Sequence, residues 1–253
     1  MIGFDEALAL IVQTAQRLPA RTCAAQDAAG AVLAEDSVSG EDLPPFDNSA
    51  MDGFALRIGT QVLAAGAEWD VAGAQAAGDA QVQASTGAWE IMTGAPLPEG
   101  LDAVVPVEQV DVMAQDAHGR PVRIRTTAEV HPGQHVRLRG EDVRSGAHIL
   151  KAGTRLDAPQ LMLLAALGIA KVNVASTPQV AILNTGRELV DAPTQALASG
   201  EIRNSNGPYL TQRVRDAGAQ VAHRETVTDA PAAFLAALER ALSAGADVVL
   251  STG

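Results

Sequence analysis

The sequence predicts a multidomain α/β protein in which a β-rich stretch precedes a parallel α/β unit. Three observations carry that reading. Short alternating segments broken by glycine and proline run from Phe54 to about Arg139, strands and helices alternate from Val180 to Leu250, and apolar residues recur at helical spacing from Phe4 to Leu18.

Taken in order, Leu8, Ile11, Val12, Ala15 and Leu18 fall on one face of the opening segment, with Asp5 and Glu6 suiting its first turn, so an amphipathic helix is expected. Ala24 to Glu35 is alanine-rich and broken at Gly30, which predicts a short helix, a cap and a strand starting at Val32. Glu41 to Gly53 has no period and contains Pro44 and Pro45, the mark of an irregular loop or a domain crossing. Val122-Arg123-Ile124-Arg125 and Val136-Arg137-Leu138 alternate as strands with one wet face do. The glycine-rich run from Val71 to Gly87 has Trp69, Val82 and Trp89 spaced through and beside it, which favours turns between strands over disorder.

Asp157-Ala158-Pro159-Gln160 reads as a cap, an early-turn proline and a capping-box glutamine, opening a helix that runs through Leu167 and ends at Gly168. Beyond it are expected a strand at Val180 to Leu183, a helix at Pro208 to Asp216, a strand at Gln220 to His223, a helix at Asp229 to Ala244 and a strand at Asp247 to Leu250. Such alternation builds a parallel sheet whose ligands bind in the loops at the carboxyl ends of the strands. Two of those loops are Asn184-Thr185-Gly186 and Ser251-Thr252-Gly253. A buried parallel strand normally leads into a covering helix, so a truncated chain is expected, with native sequence continuing past Gly253.

Composition narrows the function classes. The 253 residues are 47% apolar and 19% charged, the balance of a folded globular chain. Thirty acids against 18 bases leave a net charge of −12, and aromatics are only 3%, so nucleic acid is a poor ligand. An anionic ligand would need local donors or a bridging cation. The single cysteine, Cys23, and a first basic residue at Arg17 point to a cytoplasmic protein without a signal peptide. The longest strongly apolar run, Leu161 to Ala170, is half of the roughly 20 residues that span a bilayer, so no membrane association is expected. His131 and His135 flank Pro132-Gly133, which disfavours the helix that would align them on zinc.

The most informative segment is Pro44-Pro45-Phe46-Asp47-Asn48-Ser49-Ala50-Met51-Asp52-Gly53-Phe54-Ala55. Its acids, amide and hydroxyl could coordinate a cation or accept from a polar ring, or could be Asx caps of a structured turn. Four further motifs follow in order: Ile91 to Pro98 (Ile-Met-Thr-Gly-Ala-Pro-Leu-Pro), Arg139-Gly140-Glu141-Asp142, Lys151-Ala152-Gly153-Thr154 and Thr185-Gly186-Arg187-Glu188-Leu189. Together they resemble, over essentially the whole chain, the MoeA-type molybdopterin molybdenumtransferases, the family that includes the gephyrin E domain.

The resemblance implies a β-rich insert domain at 45–139 and a small α+β linking domain from 20–44 and 140–175. It also implies a partial α/β molybdopterin-binding, MogA-like domain at 176–253, on which a helix at 1–19 packs. It implies insertion of molybdate into adenylylated molybdopterin with release of AMP, assisted by Mg²⁺ or another divalent cation. Asp52, Thr93, Asp142 and Glu188 match the family's active-site positions, and Asp52, Asp142 and Glu188 become the expected metal ligands. Ser49, Thr185, Gly186, Ser251, Thr252 and Gly253 become the expected cofactor-binding residues. Carboxylate oxygens suit a hard cation that bridges to phosphate, and a hydroxyl such as Thr93 can donate to an oxyanion. Read without the resemblance, Asp142 is equally a turn acid paired with Arg139 or Arg144, and Glu188 a first-turn acid at a helix N-terminus. Arg187 departs from the family pattern and lowers the local negative charge. Asp229, in Asp229-Ala230-Pro231, reads first as a helix cap.

The resemblance further implies a homodimer, its active site formed between the Asp52 loop of one subunit and the α/β domain of the other, and a molybdopterin adenylyltransferase as a partner. Two competing readings are a catalytically inactive dimeric scaffold of the gephyrin type and, from the C-terminal unit alone, an adenylyltransferase. The long N-terminal region argues against the latter.

Overall fold

A computed structural model describes residues 2–84 and 86–253. The chain forms two compact units, one from Met1–Asp36, Lys151–Ala165 and Ala170–Gly253, the other from Ser37–Leu150 and Ala166–Ile169. The four segments expected above cut the chain more finely than this.

The middle unit is built on a six-stranded sheet. Its strands lie side by side in the order Ala103–Pro106, Gly53–Leu56, Ala88–Ile91, Glu68–Gln75, Pro121–Thr126, Val110–Gln115. Every pairing is antiparallel except that of Glu68–Gln75 with Ala88–Ile91. The expectation of one wet face holds for the outer hairpin, where Ile124 is buried and its neighbour Arg123 pairs with Glu68 in solvent. It fails for the two strands at the other end of the sheet. All four residues of Gly53–Leu56 and of Ala103–Pro106 are buried, because Phe54, Leu56, Ala103 and Val105 enter one apolar cluster and Ala55 and Val104 another. A strand covered on both faces is uniformly apolar, so it shows no alternation to read.

Gly53 is fixed by close approach. A Cβ there would lie 1.9 Å from the Val105 carbonyl oxygen of the neighbouring strand, so no other residue fits without moving backbone. The Glu41 to Gly53 stretch is the expected irregular loop. Its short strand Asn48–Ser49 pairs antiparallel with Val136–Arg137, which sets the 136–142 segment beside it.

In the other unit, helix α1 spans Phe4–Thr14 and stops short of Leu18. It buries no residue, and Leu8, Ile11 and Val12 stay exposed, so the helix does not pack its apolar face as expected. Ala24 to Glu35 likewise departs from expectation. Ala20–Ala24 is a strand paired with Lys171–Ala175, only one 3-10 turn follows at Ala25–Asp27, and Val32 makes an isolated bridge to Arg155.

Helix α2 (Ala158–Ala166) starts as its sequence dictates: Gln160 Oε1 accepts from the Asp157 N–H at 3.2 Å, half of a capping box. The parallel α/β prediction holds. Gln179–Thr185 lies between Gln220–Val227 and Val248–Thr252, parallel to both. Helices α3 (Asn206–Asp216) and α4 (Pro231–Ser243) are the crossovers, and Val180, Ile182 and Val214 form the core with Leu210, Val221 and Leu250 packed against them. Among the described residues no helix is long and apolar enough to cross a membrane.

Candidate functional site

In the middle unit the sequence-predicted pair Asp52 and Thr93 meets. Asp52 Oδ1 accepts from the Thr93 N–H at 2.7 Å and from the Thr93 hydroxyl at 2.9 Å. The partner loop is rigid for local reasons: Ala95 N–H closes on the Met92 carbonyl at 3.0 Å, and Gly94 takes φ +79° and donates to the Ser49 carbonyl at 2.8 Å. The Thr93 N–H first, and its hydroxyl second, hold the Asp52 carboxyl below the usual range, with slight burial opposing. Asp52 is therefore an ionised acceptor at neutral pH, and both hydrogen bonds from Thr93 fall on its Oδ1.

Two expectations for this unit need correcting. Ser49 is only 1% exposed, and its hydroxyl is spent inside the loop, donating to the Met51 carbonyl at 2.5 Å and accepting from the Met51 N–H at 3.2 Å. It shapes the loop and is not presented to a ligand. Asp142 is paired with the Arg137 guanidinium, neither of the arginines expected from sequence. Arg139 instead binds Asp42 at 2.6 Å, and the Ser145 N–H, ahead of that ion pair, lowers the Asp42 carboxyl.

The remaining predicted residues lie in the other unit, at the carboxyl edge of the parallel sheet. The first strand of the βαβαβ run sits in the middle, so the crossovers leave on opposite sides and the strand order reverses between Gln179–Thr185 and Val248–Thr252. Ligand crevices of open α/β sheets open at that point. Here Asn184 Nδ2 donates to Thr252 Oγ1 at 2.6 Å and the Thr185 hydroxyl to the Thr252 carbonyl at 3.2 Å. A cleft of about 410 Å³ opens there, lined by Thr185, Ser251, Thr252 and Gly253 and by Thr228, Asp229 and Phe234 around the start of α4.

Glu188 stands in a turn ahead of the two-residue strand Leu189–Val190, so the helix N-terminus weighed for it does not exist. Its carboxylate folds back over Gly186: a Cβ at Gly186 would meet Glu188 Oε1 at 2.6 Å, and Gly186 itself is buried with φ +151°. Asp229 is not a cap. The N-cap of α4 is Ala230, which makes no side-chain capping bond, and Asp229 lines the cleft. The signal that would have found it is its place after a parallel strand, which outranks the Asp-x-Pro capping pattern.

The three expected metal ligands are distributed over the chain as follows. Among the described residues no three of His, Cys, Asp and Glu converge, Asp142 is held by Arg137, and Asp52 and Glu188 belong to different units.

Comparison with known proteins gives a consistent picture. Residues 2–168 match the family described as the MoeA N-terminal region (domain I and II), and residues 181–253 match a probable molybdopterin binding domain. The chain is similar to the molybdopterin molybdenumtransferase of Synechococcus elongatus, with 38% identity over 230 residues that cover 88% of this chain and 55% of that protein. It is similar to molybdopterin molybdenumtransferase 2 of Mycobacterium tuberculosis, with 39% identity over 234 residues covering 89% and 55%. Among solved structures it is similar to the molybdopterin biosynthesis MoeA protein of Pyrococcus horikoshii, with a TM-score of 0.88, 32% identity and coverage of 100% of this chain and 66% of that one. The chain thus spans about half the length of the curated relatives it matches.

Proposed function

Because this chain belongs to the MoeA family, we propose that it serves molybdenum cofactor biosynthesis by inserting molybdate into the dithiolene of an adenylylated molybdopterin, with release of AMP. The observation that carries the reading is the cleft at the strand-order reversal, where four hydroxyl side chains and the acid Asp229 line a crevice of ligand size.

In this reading the hydroxyls of Ser251 and Thr252 donate to phosphate or pterin oxygens, the Thr185 hydroxyl, which donates to the Thr252 carbonyl, can only accept, and the start of α4 adds backbone N–H groups favourable to an anion. Local donors of this kind suit an anionic ligand on a chain with a net charge of −12. Asp52, kept ionised by Thr93, acts as a fixed acceptor, and Thr93 holds it in one orientation. Among the described residues no three-ligand cage forms within the chain, so a divalent cation such as Mg²⁺ would be held by Asp52 or Glu188 together with substrate phosphates, whose charge it would neutralise. Asp142, paired with Arg137, would be the third carboxylate of that set. The protein works as a homodimer in this account, and a molybdopterin adenylyltransferase is its natural partner because such an enzyme makes the adenylylated substrate.

The test is direct. The protein is incubated with adenylylated molybdopterin and AMP is measured with and without molybdate. Molybdate-dependent AMP is the expected result, and AMP no higher than in the protein-free control overturns the reading.

A further inference from the structure

We infer that Asn204 is a positioning residue for the cleft, a single buried amide that fixes the spacing of the segments around it; its link to catalysis rests on the function proposed above. Asn204 is 7% exposed and lies between the short strand Ile202–Arg203 and helix α3. Its Oδ1 accepts from the Gly207 N–H at 3.0 Å. Its Nδ2 lies 3.2 Å from Asn184 Oδ1, 2.9 Å from Asp191 Oδ1 and 2.9 Å from Thr226 Oγ1.

Those partners belong to separate parts of the site. Asn184 is the next-to-last residue of the central strand, beside Thr185, Thr226 is the next-to-last residue of the second strand, two residues before Thr228, and Asp191 follows the Glu188 turn. Asn184, wholly buried, passes the connection on to Thr252 on the third strand at 2.6 Å. One chain of hydrogen bonds therefore runs across all three strands at their carboxyl ends.

The chemistry required at position 204 is narrow. The Gly207 N–H demands an oxygen on one side, and three acceptors demand an N–H₂ on the other, a combination only an amide offers. An amide has two protons for three acceptors, so the donor end is fully committed, and a buried network of this kind is costly when a member is lost. The helix geometry makes room for it. A Cβ at Gly207, in the first turn of α3, would stand 3.1 Å from Asn204 Nδ2 and 3.2 Å from Asn184 Oδ1.

The plainer role is helix capping. The bond from the Gly207 N–H to Oδ1 has that form, but a cap uses only the oxygen, whereas the nitrogen reaches three other segments. Asn204→Asp separates the two roles: it keeps the capping oxygen, removes both donor protons, and sets a carboxylate against Asp191, Asn184 Oδ1 and Thr226 Oγ1.

Hydrogen exchange on the intact protein reads the result without substrate. Gly186 N–H (to the Val227 carbonyl) and Ile202 N–H (to the Glu188 carbonyl) lie at the clamp, while Gln220 N–H (to Pro178) and Asp247 N–H (to Gln179) lie at the opposite edge of the same sheet. In Asn204→Asp the first two should exchange at least about tenfold faster and the second two within about twofold of wild type. Gly207→Ala should give the same pattern more weakly, and it keeps the test open should the first variant fold poorly. Unchanged exchange at all four amides, or equal acceleration at all four in both variants, overturns the proposal. In the AMP-release assay the KM for adenylylated molybdopterin should rise more than kcat falls, whereas an unchanged KM with altered Gly186 exchange would overturn the link to substrate. Absence of AMP release from the wild type would overturn the proposed reaction alone, leaving the clamp to stand or fall on exchange.

Discussion

Replacing Gly53 with alanine should prise apart the last two strands of the middle unit's sheet and disable the Asp52 loop without touching a polar side chain. The added Cβ would begin 1.9 Å from the Val105 carbonyl oxygen and 2.8 Å from its carbon. Real Cβ contacts are not shorter than 3.0 Å, so the two strands must separate by about 3.0 − 1.9 = 1.1 Å at that point. Such a shift breaks the bond from the Val107 N–H to the Asp52 carbonyl, now 3.1 Å. Overpacking of a closed core costs about 1–3 kcal/mol, and a lost backbone hydrogen bond about 0.5–1.5 kcal/mol. The expected loss is therefore about 2–4 kcal/mol, a fall of roughly 5–15 °C in Tm for a domain of this size. Urea and thermal denaturation of Gly53→Ala measure it. A loss under about 0.5 kcal/mol would refute the reasoning, because it would mean that the Gly53 and Val105 backbones are not held at this separation.

Three further outcomes are expected. Thr93→Val removes the hydroxyl but leaves the N–H that is the larger cause of the lowered Asp52 carboxyl, so its titration by NMR should move part of the way up to the ordinary value of 3.8; a complete return would reverse the order of the two donors. Glu225 is held low chiefly by Arg240, bonded at 2.6 Å and 3.0 Å, and also by His223 at 3.0 Å. A carboxyl lowered by folding adds stability above its unfolded pKa and loses it as pH falls through the folded one, so stability in Glu225→Gln should depend less on pH below about 4.5 than in wild type. Light scattering should give twice the 26.0 kDa chain mass at working concentration, and 26.0 kDa at high concentration would count against the homodimer.

The two halves of the chain differ in how much of this was legible in the sequence. The α/β unit was readable because its order is local: Gln160 signals the start of α2, and the strands around Ile182 and Leu250 are short apolar runs between helix signals. The strand-end residues Thr185, Ser251, Thr252 and Gly253 followed from that order alone. The middle unit was readable only as rich in strands, since Phe54-Ala55-Leu56 and Val104-Val105 are buried on both faces and carry no period. Long-range register decided the rest. Arg137 reaches Asp142 on a segment positioned by pairing with Asn48, and no local spacing distinguishes Arg137 from Arg139 or Arg144. Ser49 looked like a free hydroxyl because nothing in the sequence reveals burial in a turn. Asn204 was missed for a related reason: an asparagine in a polar loop is ordinary until the strands gather Asn184, Asp191 and Thr226 around it.

The claim most open to direct test is that the acids of the two loops serve the reaction and not the fold. Asp52→Ala and Glu188→Ala should each be made in the full-length protein and assayed for molybdate-dependent AMP release well below the Tm of every variant. Removing an acid that orients substrate and cation should cost about 10²-fold or more in turnover, far more than the modest fall in Tm expected from an exposed Asp52 that loses two hydrogen bonds and a half-buried Glu188 in a turn. Near-normal turnover per folded molecule with a lowered Tm would contradict the account, and would return Asp52 to an acceptor that merely ties its loop to Thr93.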